Sequence, residues 1–260
     1  MGGRRAVVEP LAEAPAGWLA ARDAGGQFHF PALVEHAEWA ALIPGIERAG
    51  GDVATALPRL AAYIAAVLSW NRTVSNLISR SDEARLVSRH LAESIEPAGW
   101  LREFDAARWV DLGSGAGFPA IPLAMVGIGR KWLLVESRRP KTLFLKKVTQ
   151  DLGLVDVHIA HARLEDLVHG DELGDPHPDA VRAGGFPFDA LTSRATMTLP
   201  PTLEIAEACV RPGGHAFLWK GSARVREKAE NVAWNERWDE AGELAFEGGN
   251  VAVCNFILNR

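Results

Sequence analysis

The residues best placed to do chemistry cluster at the end of one short apolar run. Trp109-Val-Asp-Leu opens into Gly113-Ser-Gly-Ala-Gly117, so an acid, Asp111, stands two positions ahead of a glycine-rich turn. Glycines at 113, 115 and 117 allow backbone angles, and a closeness of approach, that a Cβ forbids. A second apolar run, Trp132 to Val135, closes on Glu136. A carboxylate there can accept hydrogen bonds from both hydroxyls of a ribose. A strand, a glycine turn, a helix and a second strand-end acid make the local geometry for gripping a nucleotide-bearing cofactor, at the strand ends where open α/β sheets bind ligands.

The spacing then separates two cofactor classes. Dinucleotide sites use G-x-G-x-x-G and set a pyrophosphate against a helix N-terminus. Here the pattern is G-x-G-x-G. Asp111 repels a pyrophosphate but suits the cationic amino group of a methionine moiety, directly or through water. Pro119 and Pro122 leave fewer backbone donors for phosphate. The turn therefore reads as an S-adenosylmethionine site. An NAD-binding oxidoreductase is the alternative, since Glu136 serves either cofactor.

These residues need a scaffold, and the apolar periodicity supplies one. Val53 to Trp70 carries Leu57, Leu60, Ile64, Val67 and Leu68 at helical spacing. Shorter helices are predicted over 82–87 and 90–101. From Arg108 onward, strands alternate with helices. Strands are predicted at 109–112, 132–136, 155–159, 188–192 and 215–220, with helices at 118–125 and 140–152. Two closing strands, 243–246 and 251–258, flank Gly248-Gly249. That alternation predicts an α/β fold with a mainly parallel seven-stranded sheet and helices on both faces, a Rossmann-like class I methyltransferase with an N-terminal helical cap. The expected division is a partly ordered extension at 1–50, the cap at 51–105 and the cofactor-binding domain at 106–260. Residues 169–187 lack any period and read as a surface insertion.

Bulk composition narrows the class further. With 260 residues, 48% hydrophobic and 23% charged, the chain has the make-up of a globular protein. No run looks close to the roughly eighteen apolar residues of a membrane span. Arg4 and Arg5 lack the apolar stretch of an export signal behind them. The only cysteines, Cys209 and Cys254, are far apart, which speaks against a disulfide framework or zinc site and for a reducing cytoplasm. The expectation is a cytoplasmic monomer without membrane or metal. A net charge of −5 does not suggest a nucleic-acid binder as a whole, yet local charge is not fixed by the sum.

With these residues in view, the chain resembles the RsmG (GidB) family, which methylates N7 of a guanine in small-subunit (16S) ribosomal RNA. The likeness runs from about Leu60 to Lys220 and follows the family's motif order. It comprises Trp70-Asn71 with Asn76-Leu77, Arg89-His90 with Ser94-Ile95, the turn from Asp111 to Pro119 with Ile121-Pro122, Glu136-Ser137 with Lys141 and Phe144-Leu145, the run Ala162 to Glu165, Ser193-Arg194-Ala195, and Trp219-Lys220-Gly221. The resemblance implies cofactor contacts at Gly113, Phe118, Leu164, Glu165 and Arg194, beside Asp111, Gly115, Gly117, Glu136 and Ser137. It implies 16S ribosomal RNA or the small ribosomal subunit as partner. The chain departs from the family in its longer N-terminus, one extra residue between Trp70 and Asn76, the enlarged 169–187 segment, and Glu93 where many relatives carry Asp.

Guanine N7 has an exposed lone pair and no proton to remove, so the reaction needs in-line placement and no general base. Arg194, Asn71 and His90 suit substrate positioning. The stretch Thr192-Ser-Arg-Ala195 lacks the D/N-P-P-Y/F segment of exocyclic-amine methylation, which favours a ring nitrogen. Phosphate contacts need cations. Arg138, Arg139, Lys141, Lys146 and Lys147 lie within ten positions that contain no acid, and Arg72, Arg80, Arg85 and Arg89 recur through the cap. Both segments can equally be solvated helix faces. Arg89, His90, Arg138, Arg139, Lys141 and Lys220 complete the candidate RNA contacts. A methyltransferase acting on a small molecule or protein, and a noncatalytic RNA-binding protein on the same scaffold, are the remaining alternatives.

Overall fold

The computed structural model describes residues 17–23, 25–169, 183, 185–230 and 236–259. Asp52 starts the first long helix, α1 (Val53–Thr73), by accepting a 3.0 Å hydrogen bond from the Thr55 N–H. That satisfies one donor that a helix start leaves without an internal partner. By length and composition α1 is apolar enough to cross a membrane, which corrects the expectation that no stretch comes close. Its inward face, including Leu57, Leu60, Tyr63, Ile64 and Val67, is buried in the core it shares with the sheet.

The segment before α1 is more ordered than its Ala/Gly/Pro-rich composition suggested. Short helical turns run over Gly17–Ala20, Phe30–Val34, Ala37–Ala40 and Ile43–Arg48. Trp18 and Trp39 are buried edge to face at 5.0 Å, and with Leu33 and Ile46 they join the same core as α1. Residues 1–16 lie outside the described part. After α1, the two predicted short helices become a 3-10 turn at Arg80–Arg85, a π-helical turn at Leu86–Leu91, and α turns at Ala92–Ile95 and Ala98–Arg102. Pro97 breaks what the sequence suggested as one helix, because it has no N–H to donate.

Strands β1 (Arg108–Leu112), β2 (Lys131–Val135), β3 (Val157–Ala160), β4 (Phe188–Arg194) and β5 (Val210–Lys220) alternate with α2 (Ala120–Met125), α3 (Arg139–Asp151), α4 (Leu164–His169) and α5 (Leu199–Cys209). Beyond them, α6 (Arg224–Glu230) leads to the antiparallel pair β6 (Trp238–Ala245) and β7 (Ala252–Leu258). The seven strands lie in the order β3-β2-β1-β4-β5-β7-β6. Separate apolar clusters fill the two faces, one with the cap, α2 and α3, the other with α4 and α5. Helices therefore cover both faces, as the alternation of elements predicts.

The edges of the elements differ from the sequence reading in interpretable ways. β3 begins at Val157 because Val155 is exposed. β6 starts at Trp238, before the predicted Glu243, and as an edge strand it carries Asp239, Glu240 and Glu243 facing out, which hid it from an apolar pattern. The predicted insertion falls largely on residues 170–182 and 184, outside the described part. Sheet order reverses between β1 and β4. The crevice at their carboxyl ends is therefore where a ligand belongs, and the glycine turn leaves β1 at that point.

Candidate active site

Parallel pairing sets Asp111 of β1 opposite Thr192 of β4. The Thr192 hydroxyl donates to Asp111 Oδ1 at 2.6 Å, while Oδ2 is buried without a hydrogen-bond partner. Burial, reinforced by the charge of Glu136, pushes this carboxyl up to about 7 despite the hydrogen bonds from Thr192 and Ser114. A buried, unpartnered acceptor at a strand end is expensive unless a donor arrives. An ammonium group fits that requirement.

The turn itself depends on three glycines. Gly113 (φ +70°), Gly115 (φ +58°) and Gly117 (φ +100°) all occupy the left-handed region. A Cβ on Gly113 would collide with the Thr196 methyl group. The Gly113 and Ser114 amides donate to the Val135 carbonyl at 3.0 and 3.1 Å, which ties the turn to β2. Glu136, buried at the end of β2, accepts from the Gly115 amide at 2.9 Å and from the Arg138 amide at 2.8 Å. Both predicted acids thus converge on one turn.

The remaining predicted cofactor residues divide. Ser137 is exposed beside Glu136, and its carbonyl meets the His161 ring at 3.1 Å. Leu164 is wholly buried in the second core, so its side chain packs under the sheet, while Glu165 is exposed at the start of α4. Phe118 is buried between Tyr63 and His90, with ring centroids 5.3 and 5.6 Å away. Its ring thus packs on the cap.

The structure gives several candidate substrate residues other work. Asn71 is buried. Its Oδ1 accepts from the Leu77 and Ile78 amides at 2.7 and 3.1 Å, and its Nδ2 donates to Glu83 at 2.7 Å. This clamps the turn after α1 and leaves Asn71 little to offer a substrate. Arg194 is nearly buried, paired with the Glu93 carboxylate and donating to the His90 carbonyl at 3.2 Å. Burial draws its pKa down against the pull of Glu93. Arg194 therefore fastens the cap to the end of β4, where the sequence pointed to a phosphate or base contact. Lys220 is also enclosed. It donates to the Met197 carbonyl at 2.5 Å and pairs with Glu227 at 3.4 Å, so it steadies the loop after β4 and does not reach outward.

His90 lies under Phe118, with Nε2 buried and lacking a hydrogen bond, 3.8 Å from Asp82 Oδ1. Burial and the charge of Arg194 hold its pKa down to about 4, so it is neutral at physiological pH. Arg89 pairs with Asp82 at 3.2 Å, Arg72 with Glu83 at 3.1 Å and Arg85 with Asp82 at 3.3 Å, so acids in the cap neutralise three of its four recurrent arginines. At the start of α3 and along it, Arg138 (its N-cap), Arg139 and Lys146 are exposed, and the Lys141 ammonium leans to within 3.8 Å of where a Gly115 Cβ would stand.

Sequence reasoning missed Thr192, Thr196 and Tyr63 as parts of this site. Thr192 is an ordinary β-branched strand residue until the β1–β4 register places it against Asp111. Tyr63 is an unremarked apolar position of α1.

Known proteins agree with this geometry. Residues 56–239 match the GidB family, described as rRNA small subunit methyltransferase G. A ribosomal RNA small subunit methyltransferase G from Stenotrophomonas maltophilia is 35% identical over 199 residues, covering 76% of this chain and 84% of the relative. Its counterpart from Sorangium cellulosum is 34% identical over 182 residues, covering 70% of each. Among solved structures, a mutant of MtNAS in complex with S-adenosylmethionine shares the fold at a TM-score of 0.51 and 16% identity, covering 80% of this chain and 79% of that one. Cofactor-bound Rv0187 from MTB does so at 0.52 and 15%, covering 78% and 90%. A glycine turn at the β1–β4 crevice, its two flanking acids and this extent of likeness place the chain in one group: it belongs to the GidB family of small-subunit ribosomal RNA methyltransferases.

Proposed function

We propose that this protein transfers the methyl group of S-adenosylmethionine to N7 of a guanine in 16S ribosomal RNA. The observation that carries the cofactor half is the buried Asp111 Oδ2, unpartnered beside a turn whose Gly115 amide is held by Glu136. Asp111 would hold the methionine ammonium, and Glu136 would accept from the ribose hydroxyls. Bound there, the cofactor supplies an electrophilic methyl group on a positively charged sulfur.

The chain's own part is placement. N7 needs no deprotonation, and the neutral, enclosed His90 is not called on as a base. Holding the base in line can supply on the order of 7–11 kcal/mol of the barrier reduction. Exposed Arg138, Arg139 and Lys146 on or beside α3 are the phosphate contacts, since the cap's arginines are mostly paired. The same reading has the protein work in the cytoplasm as a monomer, with residues 51–105 as cap and 106–260 as the cofactor-binding domain.

Radiolabelled methyl transfer to 16S RNA and to isolated small subunits tests the proposal, with Gly113→Asp and Glu136→Ala expected to abolish it. Mapping 7-methylguanosine in ribosomal RNA from cells with and without the gene fixes the position. Intact cofactor binding with no incorporation into any ribosomal substrate overturns the RNA assignment. The net charge of −5 favours a small-molecule or protein substrate as the second reading, and RNA binding that ignores salt would support it.

A further inference from the structure

Tyr63 is the chain's only tyrosine. It lies on α1, in the cap, with its side chain fully buried. A phenol O–H in such a place requires an acceptor. It donates to the Ala116 carbonyl at 2.7 Å, 53 residues further along the chain. Ala116 belongs to the glycine turn, and its neighbours touch the same side chain. A Cβ on Gly117 would come within 3.1 Å of the Tyr63 oxygen, and the Phe118 ring lies 5.3 Å from the Tyr63 ring. One cap residue therefore fixes three consecutive positions of the turn.

The other bonds of the turn come from within the cofactor domain. The Gly113 and Ser114 amides go to Val135, the Gly115 amide to Glu136, and the Gly117 amide to the Ser114 carbonyl at 2.6 Å. The half nearest Glu136 is thus held by β2. Tyr63 holds the other half, Ala116 to Phe118, through its hydrogen bond and ring contact, and after burial the charge of Asp111 is the next influence opposing ionisation of its phenol. On the cofactor reading given above, on which this inference rests, Asp111 receives the amino-acid portion and Glu136 the ribose.

We propose that Tyr63 is a positioning residue for the amino-acid end of the cofactor, acting through its hydrogen bond to the Ala116 carbonyl. The bond holds the Ala116 side of the turn in shape, and with it the space beside Asp111 that the amino-acid end enters.

Tyr63→Phe keeps the ring and removes a single O–H. Calorimetry compares S-adenosylhomocysteine with 5′-methylthioadenosine, which has the nucleoside but no amino-acid end. The variant is expected to bind the first roughly tenfold more weakly and the second almost unchanged. Equal losses for both ligands, or no loss for either, overturn the proposal. Leu60→Ala, buried on the same helix, is the control for general loosening of the cap. It lowers the Tm but leaves the ratio of the two affinities alone, and a changed ratio there also overturns the proposal. Because the tyrosine is unique, fluorotyrosine incorporation gives one fluorine resonance. That resonance is expected to move with S-adenosylhomocysteine and not with 5′-methylthioadenosine, and an unmoved signal counts against the role. Failure of the unaltered protein to bind either ligand removes the cofactor reading itself, a result distinct from a normal wild type with an indifferent Tyr63→Phe.

Discussion

Thr192 Oγ1 donates a 2.6 Å hydrogen bond to one oxygen of Asp111 and leaves the other oxygen buried and unpartnered. This half-satisfied carboxylate has opposite consequences for the protein alone and for the protein with its cofactor. Burial raises its pKa from 3.8 to about 7. Between those values the folded protein keeps a proton that the unfolded chain has released, so stability falls as pH rises, by up to about 1.4 kcal/mol per unit. Asp111→Asn should therefore raise the Tm at about pH 8 and have no such advantage near pH 4, as thermal denaturation across pH will reveal. A variant with the same Tm deficit or gain at every pH would refute the account.

Cofactor affinity should follow the other sign. An ammonium partner needs the carboxylate form, so affinity increases as pH rises through about 7 and falls again once the ligand's own α-ammonium, at about 8, begins to lose its proton. Calorimetry in buffers of different ionisation heat should record proton release on binding near pH 6–7, estimated as roughly one proton at most. Asp111→Asn should bind weakly at every pH and release none.

How much of this was visible beforehand depends on the range of the interaction. The strand ends, the glycine turn and both acids are local patterns, and Asp111, Gly113 and Glu136 stand where the sequence placed them. A mainly parallel sheet with helices on both faces followed from the alternation of elements. What the sequence could not contain was register. Thr192 and Tyr63 reach the site only because β4 lies beside β1 and α1 packs over the turn. The same long-range packing turned Arg194 inward onto Glu93, while Asn71 is turned inward by the local turn that brings the Leu77 amide back to it. The extension before α1 was underestimated because isolated tryptophans in an Ala/Gly/Pro background show no period.

Arg194 and Glu93 make a testable pair. Both are nearly buried, and removing one partner leaves an uncompensated charge. Arg194→Ala or Glu93→Ala should cost about 3–5 kcal/mol each, while the double variant costs less than their sum. Chemical denaturation of the four proteins measures the coupling. Additive losses would mean that the pair does not fasten the cap.

Gly113→Ala combines two separable penalties. The positive φ disfavours any Cβ by about 1–3 kcal/mol, and the new methyl group meets the Thr196 methyl. Thr196→Ser removes that methyl group and should restore part of the loss in stability and cofactor affinity, but not all of it. Full rescue would show that backbone strain is negligible at this position.

The last prediction concerns where RNA is held. Each phosphate contact removed should lower the slope of log affinity against log salt by roughly 0.7–0.9. Arg138, Arg139 and Lys146 are exposed on or beside α3, without an acid in the ten-residue segment around them. Changing the three to Gln should flatten the slope by roughly 2 and weaken binding to many sequences alike. Arg72 and Arg85 already face Glu83 and Asp82 across 3.1 and 3.3 Å, so releasing phosphate-bound counterions through them requires breaking an ion pair first. Arg72→Gln and Arg85→Gln should leave the slope nearly as it was. If instead the cap variants flatten it and the α3 variants do not, the RNA crosses the cap, and the assignment of phosphate contacts to α3 is wrong.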